Sequence, residues 1–139
     1  FIKKIFLYFP DVPSAPTDVE VTDVYQSSCV INWKKGPDDG GSPIQHYVIE
    51  RMDMSVKGTS NYFLNKSNLL EVYNKIKNYA GGWINVGEVK ADTSPLTYKC
   101  EDLVHKKEYK FRVRAVNKIG PSEPAAFPKV VLAKDPWGN

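Results

Sequence analysis

The stretch EYKFRVRAVN, residues 108–117, alternates between polar and apolar side chains from Glu108 to Ala115. Tyr109, Phe111 and Val113 occupy every second position, and basic residues including Arg112 and Arg114 stand between them. A period of two places alternate side chains on opposite faces of a β-strand. Interleaved basic and aromatic residues also line grooves that bind nucleic acids. The distribution of charge and the rest of the strand pattern decide between these two interpretations.

Six further short stretches have strand character, and turn-forming residues separate them. Two of the separating loops, KKGPDDGGSP (34–43) and NKIGPSEP (117–124), concentrate the proline and glycine that turns require. Regularly spaced strands of this kind predict an all-β sandwich. The strand stretches are DVEVTDV (18–24), SCVINW (28–33), HYVIER (46–51), WINVGEV (83–89), PLTYKCEDL (95–103) and AFPKVVLA (126–133). The side chains predicted to form the core are Trp33, Tyr47, Ile49, Leu103, Tyr109, Phe111 and Val113.

One segment, residues 59–82, interrupts the strand pattern. Its apolar residues Leu69, Ile76 and Tyr79 repeat at helical spacing, and Asn68 followed by Glu71 is compatible with a helix N-terminal cap. We therefore predict an irregular or helical insertion between the third and fourth strands.

The net charge of +3 does not come from the predicted sandwich. Lys3 and Lys4 near the N-terminus, together with the lysines of the 59–82 segment, account for all of the excess. A domain that grips phosphates holds its basic excess on the folded body. The aromatic residues of 108–117 are needed for the core, so we expect Arg112 and Arg114 to form a solvated strand face and predict no nucleic-acid binding.

No residue pattern predicts a catalytic or metal site. His46 and His105 are the only histidines, and neither lies in a nucleophile motif such as GxSxG. Asp38 and Asp39 are adjacent, without the alternate spacing and distal glutamate of an EF-hand loop. We therefore expect no enzymatic activity, no cofactor and no metal, and surface positions for both histidines.

The two cysteines are compatible with either one disulfide or two free thiols. Cys29 and Cys100 are 71 positions apart and have no CxxC partner, which excludes the common zinc spacings. No apolar run approaches the about 18 residues of a membrane-spanning helix. The apolar core of FIKKIFLYF at the N-terminus is shorter than the about 7 residues of a signal peptide. We predict no membrane association.

A tryptophan in the second strand, a tyrosine in the third, and Leu103 six residues before Tyr109 resemble a fibronectin type III domain. PDDGGSPIQHYVIERMD (37–53), YKFRVRAVNKIGPSEP (109–124) and FPKVVLAKDPW (127–137) are similar to type III repeats of titin-, twitchin- and projectin-like giant muscle proteins. The Leu103–Tyr109 pair looks like the tyrosine corner, in which the tyrosine hydroxyl is tied to the backbone of the preceding crossover.

The resemblance implies a seven-stranded, immunoglobulin-like sandwich over residues 13–134. Residues 1–12 would then be a leader or linker, residues 59–82 an insertion between strands C and C′, and residues 135–139 an exit linker. The resemblance to cytosolic proteins also implies that Cys29 and Cys100 are free thiols.

The implied function is non-enzymatic, that of a structural and protein-binding module in the sarcomere. The implied partners are neighbouring immunoglobulin and type III domains and myosin or other thick-filament proteins, in the cytoplasm at the A-band. An extracellular receptor or adhesion module is the alternative, favoured by a Cys29–Cys100 disulfide or by a glycan at Asn65. The candidate contact residues of the two turn-rich loops are Asp38, Asp39, Gly40, Gly41, Ile119, Gly120 and Pro121.

Overall fold

The computed structural model describes residues 9–54 and 82–137. The predicted insertion at 59–82 therefore lies outside the described residues, apart from Gly82, and so does most of the predicted leader. Within the described ranges, no helix is long and apolar enough to cross a membrane.

In residues 9–54 and 82–137, eight β-strands form two antiparallel sheets. One sheet has three strands in the order β1-β2-β5, and the other has five, in the order β4-β3-β6-β7 with β8 also paired to β6. This arrangement confirms the predicted all-β sandwich. The strands are β1 (Thr17–Thr22), β2 (Cys29–Lys34), β3 (His46–Asp53), β4 (Trp83–Lys90), β5 (Thr97–Cys100), β6 (Glu108–Val116), β7 (Ala125–Ala126) and β8 (Val131–Leu132).

The last predicted strand is divided into two short strands, so the described residues contain eight strands rather than seven. β7 pairs with the middle of β6 at Arg112 and Val113, and β8 pairs with its beginning at Glu108 and Tyr109. Pro128 lies between β7 and β8 and has no backbone N–H to donate to a ladder. The edge of the five-stranded sheet is therefore interrupted at this proline.

The core lies between the inner faces of the two sheets. The centroids of the Trp33 and Tyr47 rings, from opposite sheets, are 5.6 Å apart. This separation is typical of packed aromatic pairs. The structure buries all seven predicted core residues to a relative exposure of 5% or less: Trp33, Tyr47, Ile49, Leu103, Tyr109, Phe111 and Val113.

The aromatic residues of β6 belong to this core. Tyr109 and Phe111 are fully buried, so their rings are not available to stack on nucleobases. The Tyr109 hydroxyl accepts a hydrogen bond of 2.9 Å from the backbone N–H of Val104 in the crossover before β6. That bond is the tie expected of a tyrosine corner.

Candidate functional site

The segment that leads into β1 is fastened to the loop between β2 and β3. The backbone N–H of Asp11 donates to the carbonyl of Gly40 at 2.8 Å, and that of Ser14 donates to the carbonyl of Asp38 at 2.9 Å. The Ser14 hydroxyl also accepts from the backbone N–H of Asp38 at 3.0 Å. We call residues 11–14, together with the loops 36–41 and 117–120, the N-terminal clamp.

Asn117 joins the three parts of the N-terminal clamp. Its side chain is 2% exposed, and its Nδ2 donates to the carbonyls of Asp11 at 2.7 Å and Asp39 at 2.8 Å. Its Oδ1 accepts from the backbone N–H groups of Ile119 at 2.9 Å and Gly120 at 3.2 Å. The amide side chain of Asn117 thus forms hydrogen bonds with four backbone groups from three chain segments.

Glycine is required where the N-terminal clamp is tightest. Gly40 has a φ of 79°, a conformation that L-residues with a side chain adopt only at a cost. A Cβ atom at Gly40 would overlap the carbonyl oxygen of Asp11, and one at Gly36 would overlap that of Ala15. The leading segment therefore lies directly against the backbone of this loop.

The N-terminal clamp uses part of the predicted contact set. The Gly40 carbonyl accepts from the backbone N–H of Asp11 in the leading segment, whereas backbone groups of Asp39 and Gly120 bond to the Asn117 side chain. The Asp38 and Asp39 carboxylates accept hydrogen bonds of 2.9 and 2.8 Å from the N–H groups of Gly40 and Gly41. These two carboxylates therefore shape the turn. The predicted contact residues that are left exposed are Asp38, Gly41, Ile119 and Pro121.

The segment after β8 is fastened in a comparable way. The backbone N–H of Lys106 donates to the carbonyl of Ala133 at 2.7 Å, and the backbone N–H of Gln26 donates to the Asp135 carboxylate at 3.0 Å. The Tyr25 and Trp137 ring centroids are 5.7 Å apart. We call these contacts of residues 133–137 the C-terminal clamp.

The two clamps lie at opposite ends of the sandwich. β1 begins at Thr17 opposite Lys34, the last residue of β2, next to the N-terminal clamp. β8 lies opposite Glu108 at the beginning of β6, and the loop of the N-terminal clamp follows the end of that strand. A pull on the two ends of the module therefore acts along the length of the strands.

The outer face of the five-stranded sheet is less solvated than the sequence predicted. Glu50 Oε1 lies 2.6 Å from Arg112 Nε and 2.9 Å from Arg114 Nε, so one carboxylate pairs with both arginines. The guanidinium of Arg112 also lies over the Trp83 ring, 4.2 Å from its centroid. The two arginine side chains are consequently only 19% and 25% exposed. Arg112 and Arg114 lie on the outer face of β6 as expected, but Trp83 and Glu50 cover much of that face, so it is only partly solvated.

The two histidines lie at separate places in the described part of the chain. His46 lies half-buried at the start of β3, and His105 is exposed in the crossover before β6. Among residues 9–54 and 82–137, no group of three or more His, Cys, Asp or Glu side chains is placed to hold a metal ion.

The two cysteines face each other across the three-stranded sheet. Cys29 of β2 is the register partner of Cys100 of β5, and both are free and buried. The Cys100 sulfur lies 3.6 Å from Nη1 of Arg51 and 3.7 Å from the carbonyl of Glu101. The Arg51 guanidinium also lies over the Tyr109 ring, 5.2 Å from its centroid. Both cysteines are free thiols in the structure, as the resemblance implied.

Arg51 and Asn117 are among the residues of these sites that the sequence patterns did not indicate. The alternation that places Tyr47 and Ile49 inward continues to Arg51, so the strand pattern did contain a signal for an arginine at the edge of the core. For Asn117 there was no comparable signal, because its partner Asp11 is 106 positions away in the sequence.

Two antiparallel sheets, a tryptophan–tyrosine contact between them and a tyrosine corner define an immunoglobulin-like β-sandwich. The family model for the fibronectin type III domain matches residues 14–128, and the chain belongs to this family.

Similarity to muscle proteins is found in both sequence and structure. The chain is 33% identical over 123 residues to the titin homolog of Caenorhabditis elegans, and 34% identical over 116 residues to fast-type myosin-binding protein C of Gallus gallus. These matches cover 88% and 83% of this chain but only 0% and 8% of the two relatives. A crystal structure of titin domains has a TM-score of 0.64 at 27% identity, covering 90% of this chain and 33% of the other. The predicted kinship with titin-like repeats is thereby confirmed.

Replacing Asn117 with alanine is expected to loosen the N-terminal clamp. The change leaves up to four backbone groups without their partner, and we expect a loss of about 1–3 kcal/mol in the free energy of unfolding. Hydrogen exchange should also speed up at the Asp11 amide, which the N-terminal clamp protects. Lys118→Ala, at the exposed neighbouring position, is the control and should change neither quantity. Unchanged exchange at Asp11 in Asn117→Ala would show that Asn117 does not hold the leading segment.

Proposed function

We propose that this chain is a non-enzymatic structural and protein-binding module of a sarcomeric, titin-like protein. It acts as a spacer in a tandem array and offers surface to thick-filament proteins. The observation that carries the proposal is the fastening of both ends of the module at opposite ends of the sandwich. Force that enters through residues 11–14 passes along the strands and leaves through residues 133–137.

The N-terminal clamp makes the module a stiff element in such an array. A flexible leading segment would let the module and its preceding neighbour reorient relative to each other. Here Asp11 and Ser14 are bonded to the loop after β2, and Asn117 adds a third segment. The neighbours proposed on either side are immunoglobulin and type III domains of the same chain, as the family resemblance implies.

Thick-filament proteins, myosin among them, are the proposed partners, and the sarcomeric A-band in the cytoplasm is the proposed location. Both the proposed partners and the proposed location are supported by the similarity of the chain to relatives named titin and to relatives named myosin-binding protein C. The proposed contact surface consists of the exposed contact residues at the N-terminal end, Asp38, Gly41, Ile119 and Pro121. Cys29 and Cys100, whose disulfide would favour the extracellular alternative, are free thiols.

Co-sedimentation with assembled myosin filaments tests the proposed partner. We expect the chain to pellet saturably with the filaments, and Ile119→Asp to weaken binding at least about tenfold, since a buried carboxylate costs free energy at an interface. Val104→Asp is the matched control: Val104 is 48% exposed and Ile119 is 46% exposed, and Val104 lies at the other end of the sandwich. A chain that stays in the supernatant at all filament concentrations would contradict myosin as the partner.

A further inference from the structure

We propose that Cys29 and Cys100 form a redox-modification site, in which a hydroperoxide oxidises Cys100 and Cys29 converts the product into an intramolecular disulfide. The two residues are direct register partners in the antiparallel ladder between β2 and β5. Directly opposed residues in such a ladder have Cα atoms about 4.5 or 5.5 Å apart. Both values lie within the about 4.4–6.8 Å that a disulfide spans. The backbone therefore already holds the pair at bonding distance.

Cys100 is only 1% exposed, but it is the member of the pair that lines a cleft. A cleft of about 260 Å³ is lined by Arg51, Tyr98, Cys100 and Glu101, among other residues. The space suits hydrogen peroxide, which is close to water in size. Cys29 does not line this cleft and is completely buried. The arrangement assigns the attack on the peroxide to Cys100 and the resolving step to Cys29.

Electrostatics at the pair support the same assignment. A hydrogen bond from the Cys29 thiol, together with the Arg51 guanidinium, lowers the pKa of Cys100 to about 7 in spite of its burial. The hydrogen bond with Cys100, together with burial, raises the pKa of Cys29 above its usual value. Because the thiolate is the nucleophile, Cys100 reacts first at neutral pH.

The chemistry balances with one molecule of hydrogen peroxide as the oxidant. The Cys100 thiolate attacks a peroxide oxygen, the O–O bond breaks, and hydroxide leaves and takes up a proton to become water. The Cys29 sulfur then attacks the sulfur of the Cys100 sulfenic acid, the S–O bond breaks, and a second water leaves with the Cys29 proton. Both sulfurs are oxidised and the peroxide is reduced to two waters.

The disulfide would alter how the module extends under load. Cys29 and Cys100 are 71 positions apart in the sequence, so the bond would close that stretch of chain into a loop. When the oxidised module is unfolded by force, the residues inside the loop cannot extend. The unfolded module is then shorter than the reduced one by roughly 25 nm, at about 3.5 Å per residue. Oxidation would thus convert an extensible module into a shorter one.

The test is peroxide treatment of the full chain at pH 7 under non-reducing conditions. We expect the mass to fall by two hydrogens and both alkylatable thiols to be lost together. In Cys29→Ala the reaction should stop at a sulfenic acid on Cys100, which dimedone traps. Cys100→Ala should retain its thiol. Arg51→Met should react at least about tenfold more slowly at pH 7, because a smaller fraction of Cys100 is then thiolate.

Circular dichroism shows whether each variant is folded, and only folded variants are compared. Two thiols still alkylatable in the treated wild-type chain would overturn the proposal, as would a disulfide that forms only between chains. Oxidation of Cys100→Ala at the wild-type rate would overturn the assignment of Cys100 as the attacking residue.

Discussion

Replacing Trp33 with alanine is expected to reduce the free energy of unfolding by about 3–5 kcal/mol, the cost of deleting a buried aromatic side chain. Trp33 is 4% exposed and packs on Tyr47 of the opposite sheet, so its loss leaves a cavity between the two sheets. Against a total of about 5–15 kcal/mol for a domain of this size, this loss is a substantial part of the stability, and the variant should unfold at a much lower denaturant concentration than the wild type. Chemical denaturation followed by far-ultraviolet circular dichroism measures the loss.

The matched control for this variant is Trp137→Ala. Trp137 is 74% exposed in the C-terminal clamp, where its main ring contact is with Tyr25. The same chemical change there should cost less than about 1 kcal/mol. A Trp33→Ala variant as stable as Trp137→Ala would contradict the packing of β2 described here.

Phe111→Ala is expected to have a similarly large effect, about 3–5 kcal/mol. Phe111 is completely buried between the sheets in the middle of β6. The neighbouring Lys110 lies on the outer face of the same strand, and Lys110→Ala should cost less than about 1 kcal/mol. The pair tests the two faces of β6 directly, and chemical denaturation measures both values.

If Phe111→Ala and Lys110→Ala lowered the free energy of unfolding by comparable amounts, β6 would not have one core face and one outer face. The interpretation of its aromatic residues as core would then be wrong, and a surface role for them, including base stacking, would become possible again.

The residues whose environment the sequence predicted correctly are those whose side-chain direction follows from local alternation. Tyr109, Phe111 and Val113 could be placed in the core because neighbouring positions in a strand face opposite ways. The similar placement of Trp33 and Tyr47 required nothing beyond the strand pattern.

The features that the sequence did not reveal depend on pairing between distant segments. In the ladder of β3 with β4, the register shifts between Ile49 and Glu50, and Trp83 lies opposite Met52. This register places Trp83 on the outer face, under the guanidinium of Arg112. Alternation within one strand cannot show which residue of another strand lies beside it, so the covering of Arg112 could not be predicted.

The division of the last strand illustrates a different limit. Pro128 was visible in AFPKVVLA, and proline is known to interrupt ladders. The apolar pattern on either side of it nevertheless favoured one continuous strand. The two halves pair with different parts of β6, and that pairing depends on the tertiary arrangement at the edge of the sheet.

Single-molecule pulling of several copies joined head to tail tests the central claim, that the module carries load between two fastened ends. We predict that each copy resists force and then unfolds in one cooperative step. That step should release roughly 40–50 nm of chain under reducing conditions, at about 3.5 Å per residue. Gradual extension at low force, with no discrete unfolding step, would contradict a load-bearing spacer.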